Sequence, residues 1–162
     1  IILDSSHEID YLCCLLGPVA QVYCMADVLS DLEVDAEDTA TMLLRFAGGA
    51  MGEVHLDFVQ RSRARNCKIV GTEGTITWDY LAGSLQVNVA GVDEPQCFDT
   101  SCDPNDMYLK EMESFLGCVY EGRSPVVDLA SARKVLEVAL AAHESARGER
   151  IVRLPITNHG GS

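Results

Sequence analysis

The chain has 162 residues, 48% of them hydrophobic, which is the size of one ordinary domain and enough to bury a core without disulfides or a metal. Twelve Lys and Arg stand against 25 Asp and Glu, a net charge of -13 that repels phosphate backbones and anionic lipid, so nucleic acid and membrane surfaces drop out as expected partners. No apolar run approaches the roughly 20 residues of a membrane helix, and no basic flank with a cleavage site marks a signal peptide, which points to a cytoplasmic protein.

Seven cysteines are an odd number, carry no C-x-x-C pair and lie mostly in apolar runs, so they read as buried free thiols of a reducing compartment. Cys13 and Cys14 fall mid-helix among leucines, where burial raises a thiol pKa and argues against a reactive thiolate. The chain opens on Ile1-Ile2-Leu3 without a methionine and runs at once into its densest motif, which leads us to expect a piece of a longer protein.

Ile9, Leu12, Cys13 and Leu16 recur at helical spacing and Gly17-Pro18 stops the pattern, which predicts a short amphipathic helix over residues 6–16. A strand is expected from Val19 to Ala26, and the acidic residues 31–38 read as a solvated loop. Residues 39–46 and 51–59 are apolar runs joined by Ala47-Gly48-Gly49-Ala50, whose glycine pair suits a tight antiparallel hairpin. Further strands follow around Cys67 to Val70, Thr75 to Trp78 and Leu85 to Val89, with a short edge strand at residues 96–99.

Helical signals return at Asp103-Pro104, read as an N-cap and first-turn proline before Tyr108, Met112, Phe115, Leu116 and Val119. Asp128 caps a third helix that ends near Gly148, and residues 151–154 close as a strand. The order predicts one α+β domain over residues 1–155, an open, mostly antiparallel β-sheet with its helices packed on one face, and a frayed tail over 156–162. Neither a G-x-G-x-x-G nor a P-loop occurs, and no βαβ unit is visible, so no residue is assigned to a dinucleotide.

Chemistry crowds onto the first helix start, where Asp4, Ser5, Ser6, His7, Glu8 and Asp10 fall within seven positions. Ser5 with Glu8 reads as a capping box, placing His7 in a first turn whose unpaired N–H groups favour a neutral imidazole while the three acids push the other way. Arg61, Arg63 and Arg65 share one parity and either hold an anionic substrate or form the wet face of a sheet, the second being preferred. His55, His143 and His159 lack ligand spacing, so no metal is expected.

Leu3-Asp4-Ser5-Ser6-His7-Glu8-Ile9-Asp10-Tyr11-Leu12 with Leu15-Leu16-Gly17 resembles the segment that opens the C-terminal domain of Gfo/Idh/MocA oxidoreductases. Asp38 through Gly52, the turn Gly71-Thr72-Glu73-Gly74, the pattern of Tyr108, Glu111 and Phe115, and Val127 through Leu154 resemble later parts of that domain in the same order. The resemblance implies the substrate and oligomerisation half of an NAD- or NADP-dependent enzyme acting on a secondary alcohol or ketone of a sugar, nucleotide sugar or polyol. The cofactor would be held mainly by an N-terminal Rossmann domain, without which this piece is expected to be inactive.

By that resemblance His7 takes the place of the proton-exchanging histidine, with Asp4 as the acid that precedes it. The family commonly spaces the pair Asp-x-x-x-His, whereas this chain has Asp-x-x-His, which turns the carboxylate to another side of the helix start. Asp10, matching a His-x-x-Asp pattern, and Tyr108 are the substrate-side candidates, Tyr108 being equally readable as core. A homodimer or homotetramer through the sheet is the implied assembly. The rival reading is a non-catalytic module whose sheet pairs with another copy.

Overall fold

Apolar residues at helical spacing and alternating apolar residues in the strands meet on one side of a sheet, and this meeting builds the core. The computed structural model describes residues 1–156; of the tail expected over 156–162, all but Ile156 lie outside the described residues, as does His159. The elements run α1 (Ser6–Leu16), β1 (Val19–Asp27), β2 (Thr39–Phe46), β3 (Met51–Asp57), β4 (Asn66–Gly71), β5 (Gly74–Asp79), β6 (Ser84–Val89), β7 (Gln96–Asp99), α2 (Asp106–Glu121), α3 (Leu129–Gly148) and β8 (Val152–Arg153). These form an α+β fold of two open antiparallel sheets and three helices.

The strands that run consecutively in sequence divide into two four-stranded sheets, ordered β3-β2-β1-β8 and β4-β5-β6-β7. Side-chain alternation reports which face a strand buries, not which neighbour it pairs with, so the break between β3 and β4 has no signature in the periodicity. The chain correspondingly falls into two compact units, one formed by residues 1–60 with those from Val126 onward, the other by Arg61–Pro125.

In the first unit, Val22 and Cys24 of β1, Met42, Leu44 and Phe46 of β2, and Val54 and Leu56 of β3 are buried together. Helix α3 covers β1 with Val135, Val138, Ala139 and Ala142, and α1 packs on α3 through Ile9 and Leu12. The buried Ser145 hydroxyl donates to the Arg150 carbonyl at 2.5 Å and accepts the Cys24 N–H at 2.9 Å, tying α3 to β1. The β2–β3 hairpin turns at Gly49, whose φ of +92° is open to glycine at little steric cost.

In the second unit β4 and β5 meet through the two-residue turn Thr72-Glu73, with Gly71 opposite Gly74. A side chain at position 74 would collide with the Asn88 carbonyl of β6, so this glycine serves close strand approach. The guanidinium of Arg65 lies over the rings of Trp78 at 5.7 Å and Tyr80 at 4.9 Å. That contact separates Arg65 from the plain wet-face reading given to the three arginines.

Helix α2 starts at Asp106 with Asn105 as its N-cap, later than Asp103-Pro104 suggested. The Asp103 carboxylate accepts the Asn105 N–H at 2.8 Å in a turn that leads into the helix. Asp128 caps α3 as expected, accepting the Ser131 N–H at 2.8 Å. Among the described residues no helix is long and apolar enough to cross a membrane.

Candidate active site

Helix α1 begins at Ser6, after a turn in which the Ser5 N–H donates to the Ile1 carbonyl at 2.9 Å. Ser5 enters with ψ near 25° rather than in the extended conformation of a capping serine, and its side chain makes no capping hydrogen bond. The expected capping box is therefore not formed; the Glu8 N–H bonds the Ser5 backbone carbonyl at 3.0 Å instead. The Glu8 carboxylate turns to His7, with Oε1 3.1 Å from Nε2. The His7 side chain is 58% exposed, open to a ligand yet held at one ring nitrogen.

Beside it lies an open concavity of about 280 Å³, lined by Leu3, Ser6, His7, Asp10, Val127, Ala132, Val135 and Leu136. One wall, from the start of α1, brings an imidazole, a hydroxyl and a carboxylate together. The other, from the first half of α3 and the residue Val127 before it, is apolar. His7 and Asp10 thus share one site, as their spacing of three on a helix requires. Asp4 sits exposed in the entering turn and does not line the concavity. Tyr108 belongs to the second unit, in the first turn of α2, and is 61% exposed.

The turn that carries Asp4 is fixed from the acidic loop read as solvated. Glu37 Oε1 accepts the Ile2 N–H and the Ile1 nitrogen, each at 3.0 Å, with His143 Nε2 at 3.8 Å. Burial pushes the Glu37 carboxyl up, but these donors, the Ile2 amide first, outweigh it and hold the group below its usual range. Asp38 is fully buried and accepts from the Ser30 hydroxyl at 2.5 Å, the Leu29 and Ser30 amides at 2.9 Å each, and Thr39 Oγ1 at 3.0 Å. The Ser30 hydroxyl and then the Leu29 amide bring its carboxyl down to about 2. Composition alone marked residues 31–38 as solvent-facing; the donors that capture Glu37 lie some 35 residues away and leave no local signal.

Of the seven thiols only Cys24 is buried, while Cys14, Cys97 and Cys102 are exposed, which corrects the reading of all seven as core. Burial, with Glu37 nearby, pushes Cys24 up to about 11, and burial followed by the Asp10 charge raises Cys13. Among the described residues no group of three His, Cys, Asp or Glu side chains could hold a metal. Both sheets are antiparallel throughout, so the described residues offer no parallel βαβ crevice of the kind that seats a dinucleotide.

Residues 1–77 match the sequence model of the GFO/IDH/MocA C-terminal domain. No curated protein matches the chain by sequence. Levoglucosan dehydrogenase, solved with NADH and levoglucosan, shares the fold with a TM-score of 0.85 at 24% identity, over 94% of this chain and 49% of that one. An oxidoreductase from Agrobacterium radiobacter, solved with NAD+, L-tartaric acid and magnesium, gives 0.79 at 23% identity over 92% and 47%. The WlbA dehydrogenase from Bordetella pertussis, solved with NADH and UDP-GlcNAcA, gives 0.73 at 22% identity over 95% and 47%. The chain spans about half the length of these solved structures. The sequence pattern of the GFO/IDH/MocA C-terminal domain thus covers residues 1–77, and the fold of the C-terminal half of these oxidoreductases covers nine-tenths of the chain.

Proposed function

We propose that this chain is the substrate-side half of an NAD(P)-dependent oxidoreductase acting on a secondary alcohol or ketone of a sugar, nucleotide sugar or polyol. The observation that carries the reading is His7, exposed at the head of α1 on the rim of a concavity it shares with Ser6 and Asp10. Removing hydride from a carbinol carbon requires a base to take the hydroxyl proton, and an imidazole suits that exchange near neutral pH. The nicotinamide supplies the hydride chemistry and is assigned to a segment outside these residues. Glu8 on Nε2 orients the ring and sets its tautomer, so that the other nitrogen exchanges the proton. Related folds solved with NADH beside levoglucosan or UDP-GlcNAcA support a sugar as substrate.

The test is nicotinamide-dependent turnover of a panel of sugars and polyols by the full-length protein. His7→Asn is expected to lower turnover by roughly 10²–10⁴, the range of a lost general acid or base. Unchanged turnover would remove His7 from the reaction. The 162 residues alone are expected to bind no nicotinamide, and micromolar affinity for NAD in calorimetry would overturn that assignment.

A second reading, a sheet that pairs with another copy, is favoured by the face of the first sheet turned away from its helices. Met25 is 67%, Leu43 54% and Met51 73% exposed there, more apolar side chain than an isolated sheet face usually leaves to water. Sedimentation equilibrium of the purified protein tests it, a dimer supporting the reading and a monomer at high concentration opposing it.

A further inference from the structure

The helix that carries His7 starts without a side-chain cap, since Ser5 makes no capping hydrogen bond. Ile9 and Leu12 bury the body of α1, which packs on α3, but both follow His7 in the chain and leave its turn to be set by what precedes it. What precedes it is a series of hydrogen bonds. The Ile1 carbonyl accepts the Ser5 N–H at 2.9 Å, the Ser5 carbonyl accepts the Glu8 N–H at 3.0 Å, and Glu8 Oε1 lies 3.1 Å from His7 Nε2. The series begins at Glu37, whose Oε1 accepts from the Ile1 nitrogen and the Ile2 N–H at 3.0 Å each, while its backbone carbonyl accepts from the same Ile1 nitrogen at 3.0 Å.

Glu37 is suited to be the fixed end of that series. Its neighbour Asp38 is fully buried and held by Leu29, Ser30 and Thr39. The Asp38 N–H donates to the Asp27 carbonyl at 3.2 Å and the Asp38 carbonyl accepts the Phe58 N–H at 2.9 Å, which ties the backbone beside Glu37 to the ends of β1 and β3. Ile1 and Ile2 are buried and keep their segment against the core, but apolar burial is non-directional and does not decide which way their amides point. A carboxylate that accepts from two successive backbone nitrogens does decide it, through charge-assisted bonds about twice as strong as neutral ones. His143 Nε2, on α3, lies 3.8 Å from the same oxygen, so that α3 and the turn before α1 meet at one carboxylate.

We infer that Glu37 is a positioning residue for His7, its carboxylate fixing the turn of residues 1–5 so that the first turn of α1 presents the imidazole to the concavity. The inference rests on the reading of His7 as the proton-exchanging group and adds the residue that places it. Glu37 does not line the concavity; its effect passes through the backbone bonds of the turn and through Glu8. A shift of about 1 Å in the ring lowers turnover by up to roughly 10²-fold, because proton transfer needs the ring nitrogen within hydrogen-bond reach of the hydroxyl.

Steady-state kinetics of the full-length protein, on a sugar or polyol that it turns over with a nicotinamide, compares Glu37→Ala and Glu37→Gln with wild type. Glu37→Ala removes the side-chain acceptor and is expected to lower kcat by roughly 10–10²-fold with KM within ~2-fold. Glu37→Gln keeps a carbonyl oxygen at the same reach and is expected to restore kcat to within ~3-fold of wild type. Unchanged kcat in Glu37→Ala, a rise in KM alone, or equal losses in the two variants overturns the inference. Should Glu37→Ala fail to fold by circular dichroism, Glu37→Asp, whose carboxylate is drawn back by one methylene, takes its place with the same expected loss. A readout without turnover is the rate of carbethoxylation by diethyl pyrocarbonate, followed by peptide mass spectrometry. Loss of the Glu37 anchor is expected to raise the rate at His7 by ~3-fold or more and to leave His55, held by Thr41 and Asp57, unchanged. An unchanged rate at His7, or equal rises at both histidines, overturns the inference. Full turnover in His7→Asn overturns the reading and this inference together, whereas a loss in His7→Asn beside wild-type kinetics in Glu37→Ala overturns the inference alone.

Discussion

The two sheets have four strands each and the same antiparallel pairing, yet they bury very different things. Every apolar residue of the buried core among the described residues belongs to the first unit. In the second, Ile76 is 37% and Val70 71% exposed, and α2 buries none of its residues. Helix α3 laid on the first sheet, with α1 packed on α3, makes the difference: this removes water from a continuous apolar face, and hydrogen-bonded pairing alone does not. His7, the candidate proton-exchanging residue, lies on the unit whose backbone is locked by that core, as a site demanding a fixed side-chain geometry would require.

Truncating the core should expose this contrast most strongly. Phe46→Ala is expected to lower unfolding stability by about 3–5 kcal/mol, from lost burial and the cavity left behind, whereas Ile76→Ala in the second sheet should cost about 1 kcal/mol. Equal shifts in denaturant midpoint would break the comparison. Ser145→Ala removes the hydroxyl bridge between α3 and the β1 backbone and leaves the Cys24 N–H buried without its acceptor, for an expected loss of about 1–3 kcal/mol. A loss no larger than that of an exposed serine would show that the helix is held by apolar contact alone.

The smallest effect is the most specific to pH. Because Asp38 is held at about 2, below its usual carboxylate value, its contribution is complete above that usual value and is lost as pH falls toward 2. Asp38→Asn should therefore be less stable than wild type at pH 7, with the two urea midpoints converging as pH falls from about 4 to about 2. A gap that stays constant across that window would mean that the loop is not organised by the charge.

Element positions were largely legible from local pattern. The helix over 6–16, the strand over 39–46 and the edge strand over 96–99 follow from spacing and turn residues, because the propensities and periodicities that set them act within a few residues. The ends of helices were less so. Ser5 failed as a cap because the preceding turn set its ψ, and Asp103 became part of a turn ahead of Asn105. In the candidate site His7 and Asp10 were visible as a helical pair, but the apolar wall of Val127 and Leu136 was not, since it comes from residues more than a hundred positions away.

By itself, then, the sequence determined the α+β class, the antiparallel strands, the lack of a dinucleotide motif and the histidine at the head of the first helix, all of which are local or compositional. The tertiary structure decided which strands share a sheet, that Glu37 and Asp38 turn inward rather than to solvent, that Glu8 grips His7 instead of capping, and that Asp4 stays outside the concavity. The pairing of the strands, the capture of Glu37 by Ile1 and Ile2, and the apolar wall beside His7 share one physical reason: each depends on a donor, acceptor or surface delivered by chain closure, and the free energy of meeting it appears only once the core has brought distant segments together.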